Sequence, residues 1–589
     1  MRRRAARVWA GLLAMLLAAF AMLAVAGAPV AGQSFPPAPT LVPPTLVPVA
    51  AAGETDVLPG ESGAARIARE GTVRVGILYN EPPFGEFNIR GEVSGFDADL
   101  ARAIAETWGV SVTFVQATRQ TAIDLVATGS IDLLLAAQVH SRDLDSRVEF
   151  SLSYYPNTTS LLVREGDGAA VLAHMEGRQV GVVLGTRGES AVRDWAAEAG
   201  YAFNIQTFLT LDQAIAALLS SQIDAVADNR YRLTRAVRET GITRFVEEPV
   251  QTAPFAIGLR RQDVNLRNLV DRTLQYLFST GRLNEIHQRY FSGANYPAGA
   301  LILWANLPGD APTPGSVPGD VPFPQQYAVP RLMSERVLRV AGLRTLGDDA
   351  AESARRLDGA QRALVNALAE RWGVTVQIVG EGQDPIELVA SGQADLAVGV
   401  QPDWNQAGRV DYTGYYMMHG LQLMVENSRD IAGFGDLRGR AIGFFADDAG
   451  ARELFTQAAA DARAIVDDLY TVNREEDAAF SILTDTAINL DGVFGDSMRL
   501  LPHIEANPDT LSLLTDADGR VRWFTRTYRA LAVPRNDIDY RLLVEYTLQE
   551  MALDGTLTQI MAPVMRPQDA PTFEIWPGSS QYLGIELGR

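Results

Sequence analysis

The chain has 589 residues and a formal charge of −20, with 71 acidic against 51 basic residues, every basic one an arginine. That balance argues against the basic stripe that phosphate binding needs, so no nucleic-acid partner is expected, and the absence of cysteine excludes disulfides, thiolate metal sites, a cysteine nucleophile and a lipid-modified N-terminal cysteine. A hydrophobic share of 47% leaves ample material for buried sheets, and the length calls for about three or four folding units.

Arg2, Arg3, Arg4 and Arg7 stand before an apolar run over residues 8–25, and Ala24 and Ala26 supply small residues ahead of Gly27. That order is a secretory signal, and its length also suits a retained anchor, so residues 1–26 are expected to be a signal peptide or an N-terminal anchor. The rest is then exported, to the periplasm or the cell exterior, and meets the membrane only through this segment if it is retained. Residues 27–65 form a Pro/Ala-rich spacer. Beyond it, residues 72–78 read as a strand, 97–108 as a helix, 112–115 as a strand, 121–127 as a helix and 131–136 as a buried strand. A second such set opens at 179–184 and closes near 223–227. The chain then returns through 255–259 to a helix over residues 266–276. This alternation predicts an α/β fold with mainly parallel sheets, in two lobes joined by two crossovers, with a ligand cleft between them.

A Pro/Gly-rich linker at 294–333 separates two halves that echo each other. Ala105-Glu106-Thr107-Trp108-Gly109-Val110 recurs as Ala369-Glu370-Arg371-Trp372-Gly373-Val374. Gly129 with Asp132-Leu133 recurs as Gly392 with Asp395-Leu396, and Arg147-Val148-Glu149-Phe150-Ser151 as Arg409-Val410-Asp411-Tyr412-Thr413. Collinear matches of this period mark a duplicated domain, not a solenoid. The first module is placed at 66–293 (lobe 1 at 66–163 and 254–293, lobe 2 at 168–250). The second is placed at 334–565 (lobe 1 at 334–427 and 528–565, lobe 2 at 432–525), with a C-terminal tail at 566–589.

In the first half, Val73-Arg74-Val75-Gly76 leads to Pro82-Pro83-Phe84, then Gly95-Phe96-Asp97-Ala98-Asp99-Leu100, Phe150-Ser151, Gly181 to Thr186, Asp224-Ala225-Val226 and Gly281-Arg282-Leu283. This ordered set resembles the bacterial extracellular solute-binding proteins of family 3, the polar amino acid ABC-transporter type. The resemblance implies tandem type II periplasmic-binding-protein-like modules. It further implies capture of a small polar solute, an amino acid or related charged compound, for uptake through an ABC-transporter permease, without cofactor or metal. A ligand sensor or structural binding module, or a cyclohexadienyl-dehydratase-like enzyme on the same fold, are the alternatives.

Departures from the family pattern shape the expected site. The family's carboxylate-binding arginine falls at Leu144, which cannot make a charge-assisted contact, so Arg142 with Ser141 is the expected substitute. The amine-holding aspartate falls at Asn229, beside Asp228. The aromatic positions fall at Glu81 and Arg119, which can pair with each other or hold a charged ligand. Asp97 caps its helix or faces the ligand. Gly185 and Thr186 precede a helical pattern and offer N–H and hydroxyl groups to an anion. Phe84 and Gln138 complete the first set. In the second module the candidates are Gln401, Trp404, Asp448 and Asp496, a set that suits a cationic or amine ligand or none. The five histidines lack metal-ligand spacing, and no P-loop or nucleophile elbow is present, so no catalytic residues are assigned. Glu81 and Asp97 would be acid and base in the enzymatic alternative.

Overall fold

A computed structural model describes residues 60–199, 204–297, 299–429, 431, 433–464, 466, 468–484, 490–516, 519–571 and 573–578. The expected signal or anchor and nearly all of the spacer lie outside the described residues. Among the described residues, one compact unit takes in those from 60 to Asn88 and from Val93 on, and it carries every sheet. No helix among the described residues is long and apolar enough to cross a membrane.

In the first module the principal strands are β1 (Thr72–Leu78), β2 (Ser111–Ala117), β3 (Leu133–Leu134), β4 (Val148–Tyr155), β5 (Thr158–Arg164), β6 (Gln179–Val183), β7 (Asn204–Phe208), β8 (Ala225–Asn229), β9 (Thr243–Phe245) and β10 (Phe255–Arg260). They build two sheets, in the orders β2-β1-β3-β10-β4 and β7-β6-β8-β5-β9. The inner strands are parallel: β1 pairs with β2 and β3, and β6 with β7 and β8. The chain passes from the first lobe to the second through β4 and β5 and returns into β10. Both β5 and β10 pair antiparallel with their neighbours. The strand expected over 131–136 is shorter, because the chain turns at Ala137 (φ 43°) and the Ala137 N–H goes to the Asp97 carboxylate instead of a ladder.

The second module repeats this plan. Its strands are β11 (Val337–Ala341), β12 (Thr375–Ile378), β13 (Leu396–Val400), β14 (Val410–Tyr412), β15 (Leu421–Glu426), β16 (Ala441–Phe445), β17 (Asp468–Val472), β18 (Gly492–Asp496), β19 (Leu511–Leu513) and β20 (Thr527–Pro534). The sheets run β12-β11-β13-β20-β14 and β17-β16-β18-β15-β19. The recurring Asp-Leu pairs have one physical role. Buried Asp132 accepts from the Arg74 N–H (2.7 Å) and from the Arg74 and Arg66 guanidiniums, fastening helix Gly63–Glu70 to β1. Asp395 does the same with Arg339 and Arg331.

The modules meet through their first lobes, and several contacts recur with the roles exchanged. Helices Val264–Ser279 and Ile538–Leu553 are repeat equivalents, N-capped by Asp263 and Asp537. Arg267 reaches Glu149 of its own module and Asp411 of the other, both at 2.5 Å, while Arg541 donates to Glu149 at 2.9 Å. The segments expected as linker and tail hold this interface together as straps. The Trp304 N–H donates to Gln275, and its ring stacks on Trp404 at 4.5 Å. The Trp576 N–H donates to Gln549, and its ring stacks on His140 at 3.7 Å. The backbone N–H of Trp404 donates to the Ala305 carbonyl, as that of Arg142 donates to the Pro577 carbonyl.

Candidate functional site

A cavity of about 570 Å³ lies between the two lobes of the first module. Glu81, Arg119 and Ala137 face it from the first lobe, and Gly185, Thr186, Arg187, Asn229 and Tyr231 from the second. Arg119 donates to Glu81 at 2.7 Å, and the Tyr231 hydroxyl, from the opposite lobe, donates to the other Glu81 oxygen. The two expected partners thus pair, and a tyrosine completes a bridge across the cleft. A larger open groove of about 1280 Å³ shares Tyr231 and Arg232 with this cavity and runs past Pro82 and Phe291. The smaller cavity is the better site, because charged and hydrogen-bonding groups from both lobes converge on it.

Local sequence explains the walls. Gly95 sits at φ 120°, and a Cβ there would lie 2.2 Å from the Phe84 carbonyl, so the Gly-Phe-Asp turn brings the helix Phe96–Trp108 hard against the Pro-Pro-Phe loop. Phe84 therefore enters an aromatic core with Phe96, Tyr155 and Phe255, not the cavity. Asp97 is fully buried in the first turn of that helix. It accepts from Ala137 N (2.7 Å) and Tyr154 Oη (2.9 Å), and burial pushes its carboxyl up to about 7. It supports the wall from behind and does not reach the ligand space. Gln138 is also buried, its amide donating to the Val139 carbonyl.

The expected arginine substitute is elsewhere. Ser141 Oγ donates to the Pro577 carbonyl, and the Arg142 guanidinium donates to Gln549 (2.7 Å) and lies over the Tyr546 ring. Both belong to the interface between modules, because a 3₁₀ turn at Arg142–Leu144 carries them away from the cavity. On the second lobe, Asp228 is fully buried and paired with Arg232 at 3.3 Å, whereas Asn229, one residue on, lines the cavity and accepts from the hinge residue Asn157 at 2.7 Å. Alternation along β8 separates the two. The Gly185 N–H is taken by Glu189 (2.8 Å), and the Thr186 hydroxyl donates to the Val183 carbonyl (2.7 Å).

Arg187 was not anticipated. It opens helix Arg187–Ala199, lines the cavity, and its guanidinium has no hydrogen bond or ion pair among the described residues. Burial, with Arg119 close by, pulls it down to about 10, which leaves it charged at neutral pH. A cation in the first turn opposes the helix dipole, and such a local conflict is the sequence signal that could have marked it. Its placement rests on Gly188, where a Cβ would stand 2.7 Å from the Ala227 carbonyl. Gly188→Ala is expected to lift the helix off β8 and cost about 1–3 kcal/mol, read as a lower denaturant midpoint.

The second module's cleft is occupied by its own side chains. Its first-lobe helix starts two turns early, at Glu352, and Glu475 of the second lobe accepts from Ser353 N (2.9 Å) and Oγ (2.7 Å). Arg356 pairs with Glu505 at 2.7 Å across the same gap. Asp496 accepts from the hinge residue His419 (2.7 Å), which in turn receives Arg529 (3.0 Å). Asp448 caps helix Ala449–Asp461, and half-buried Trp404 packs against Trp304 and donates to Gln275 in the interface, with Gln401 exposed.

Paired α/β lobes, strands crossing twice between them and a polar cavity at the crossing define a two-lobed binding protein. The sequence profile of the bacterial extracellular solute-binding proteins, family 3, matches residues 73–293 and again 349–565. The chain belongs to this family, in two tandem copies. Among curated relatives, it is 26% identical over 204 residues to the ABC transporter glutamine-binding protein GlnH of Bacillus subtilis (34% of this chain, 73% of the relative). It is 25% identical over 235 residues to the L-arginine-binding protein of Pseudomonas aeruginosa (38% and 90%). Among solved structures, an ancestral arginine-binding protein bound to arginine matches at 28% identity and TM-score 0.32, covering 38% of this chain and 98% of the other.

Proposed function

We propose that this chain is an extracytoplasmic solute-binding protein that captures a small polar solute, an amino acid or related charged compound, in its first module for ABC-transporter uptake. The observation that carries this reading is the cavity into which both lobes send polar groups. A ligand bridging Arg119 and Glu81 on one side and Arg187 and Asn229 on the other stabilises the closed arrangement, which is how a two-lobed binder signals occupancy. The relatives, named as binding proteins, support it.

Binding, not catalysis, suits the cavity's carboxylates. Glu81 is held by Arg119 and Tyr231, and Asp97 is sealed behind Ala137. The second module is read as a closed scaffold, with Glu475 and Glu505 tying its lobes in place of a ligand. Thermal-shift screening of the full chain against amino acids, polyamines, organic acids and sugars tests the proposal. A solute at a hundredfold excess over its Kd stabilises by about 2.7 kcal/mol, which a midpoint shift of a few degrees would register. No shift with any class would remove the reading.

A further inference from the structure

Resting on that reading, we infer that the first cleft selects a small polycarboxylate, not a cationic or neutral amino acid. The lining of the 570 Å³ cavity holds four arginines, Arg119, Arg187, Arg193 and Arg232, against two glutamates, Glu81 and Glu189. Three of the arginines have carboxylate partners: Arg119 with Glu81 (2.7 Å), Arg193 with Glu189 (2.8 Å) and Arg232 with Asp228 (3.3 Å), the last buried behind the wall. Arg187 has none. Both glutamates are thus spent on internal pairs, and no carboxylate on the lining is left to hold an ammonium group.

Asn229 points the same way. It is 8% exposed, and its carbonyl oxygen is engaged by Asn157, so the atoms left for a ligand are its N–H donors. The uncommitted donors of the cavity are the Arg187 guanidinium fork and the Asn229 amide NH2, while the Thr186 and Ser190 hydroxyls on the lining spend their protons on the Val183 and Arg187 carbonyls. Such a set recognises carboxylate oxygens, and a second carboxylate on the ligand can share Arg119 with Glu81. The whole chain carries −20, so this cationic pocket is a local feature that does not follow from overall charge.

Isothermal titration calorimetry on the full chain, with succinate, citrate and L-glutamate as probes and L-arginine and L-glutamine as comparators, tests the inference. At least one polycarboxylate is expected to bind at least tenfold more tightly than either comparator. Arg187→Gln is expected to weaken it at least tenfold while leaving the thermal midpoint of the unliganded chain within a degree or two. Asn229→Asp, which sets a carboxylate in place of the amide, is expected to weaken it similarly. The arms separate an acidic amino acid from a simple organic acid. If L-arginine or L-glutamine binds as tightly as every carboxylate probe, or if no carboxylate gives heat, the inference is overturned while solute capture stands or falls on the wider screen. Binding that Arg187→Gln leaves unchanged also overturns it.

Discussion

Arg267→Met is expected to cost about 3–5 kcal/mol of stability, the largest loss for any single substitution considered. Glu149 and Asp411 are each 2% exposed, and the Arg267 guanidinium is what brings them together across the two modules. Without it, two buried carboxylates face each other with Arg541 bonded to Glu149 alone and Arg535 near Asp411, and an uncompensated buried charge is far more costly than a missing pair. The measurement is the urea midpoint of the full chain. Replacing the whole cluster, Glu149→Leu and Asp411→Leu together with Arg267→Met, is expected to recover most of the loss, because apolar groups of similar volume substitute well for a buried ion cluster. If the single variant unfolds at the wild-type midpoint, the cluster does not hold the modules together.

Between pH 5 and 7.5, stability is expected to fall as pH rises. Burial pushes Asp271 and Glu545 up to about 7, each flanking the arginine cluster, with Asp97 also at about 7 and Asp537 at about 6. These carboxyls bind protons more tightly folded than unfolded. The stability they confer is complete below the unfolded value near 4 and is lost progressively up to the folded value, at about 1.4 kcal/mol per pH unit for each. Burial raises Asp228 and Asp263 in the same sense, while His287 and His503, which burial holds below the usual imidazole range, act in the opposite one, two groups against six. Carboxylates with lowered values, such as Asp554 at about 2, stay ionised throughout and do not contribute. Thermal midpoints at pH 5.0, 6.2 and 7.5 should therefore descend, and Asp271→Asn with Glu545→Gln should flatten the series. A midpoint that climbs over this interval would contradict the assignment.

Periodicity carried the fold a long way. Strand β1 falls where the apolar run placed it, and the repeat predicted the second pair of sheets because Asp132 and Asp395 sit at the same register and do the same work. The site was less legible. Leu144 and Asn229 were recognisable as departures, but their consequence depends on where the chain bends. The turn at Arg142–Leu144 sends Arg142 to Gln549, which no local pattern encodes, since the partner is over four hundred residues away. Trp404 faces Trp304 for the same reason. Proline content makes residues 294–333 read as a linker, and hides that Trp304 there and Trp576 in the tail are repeat equivalents. Extending the repeat comparison beyond the family region, where Ile302-Leu303-Trp304 faces Glu574-Ile575-Trp576, is the signal that would have shown it.

The reciprocal straps also have a mechanical meaning. Every contact described between the modules is made by a first lobe, its hinge or its strap, so the two first lobes form one stiff chassis and each second lobe hangs from it as a separate door. One door, behind Arg356 and Glu475, is already latched by protein groups. The other is held by the Tyr231–Glu81 hydrogen bond beside an open cavity, so under the proposed function a membrane partner seated on the chassis would find the same footing in either state and would read cargo from the angle of the first module's second lobe.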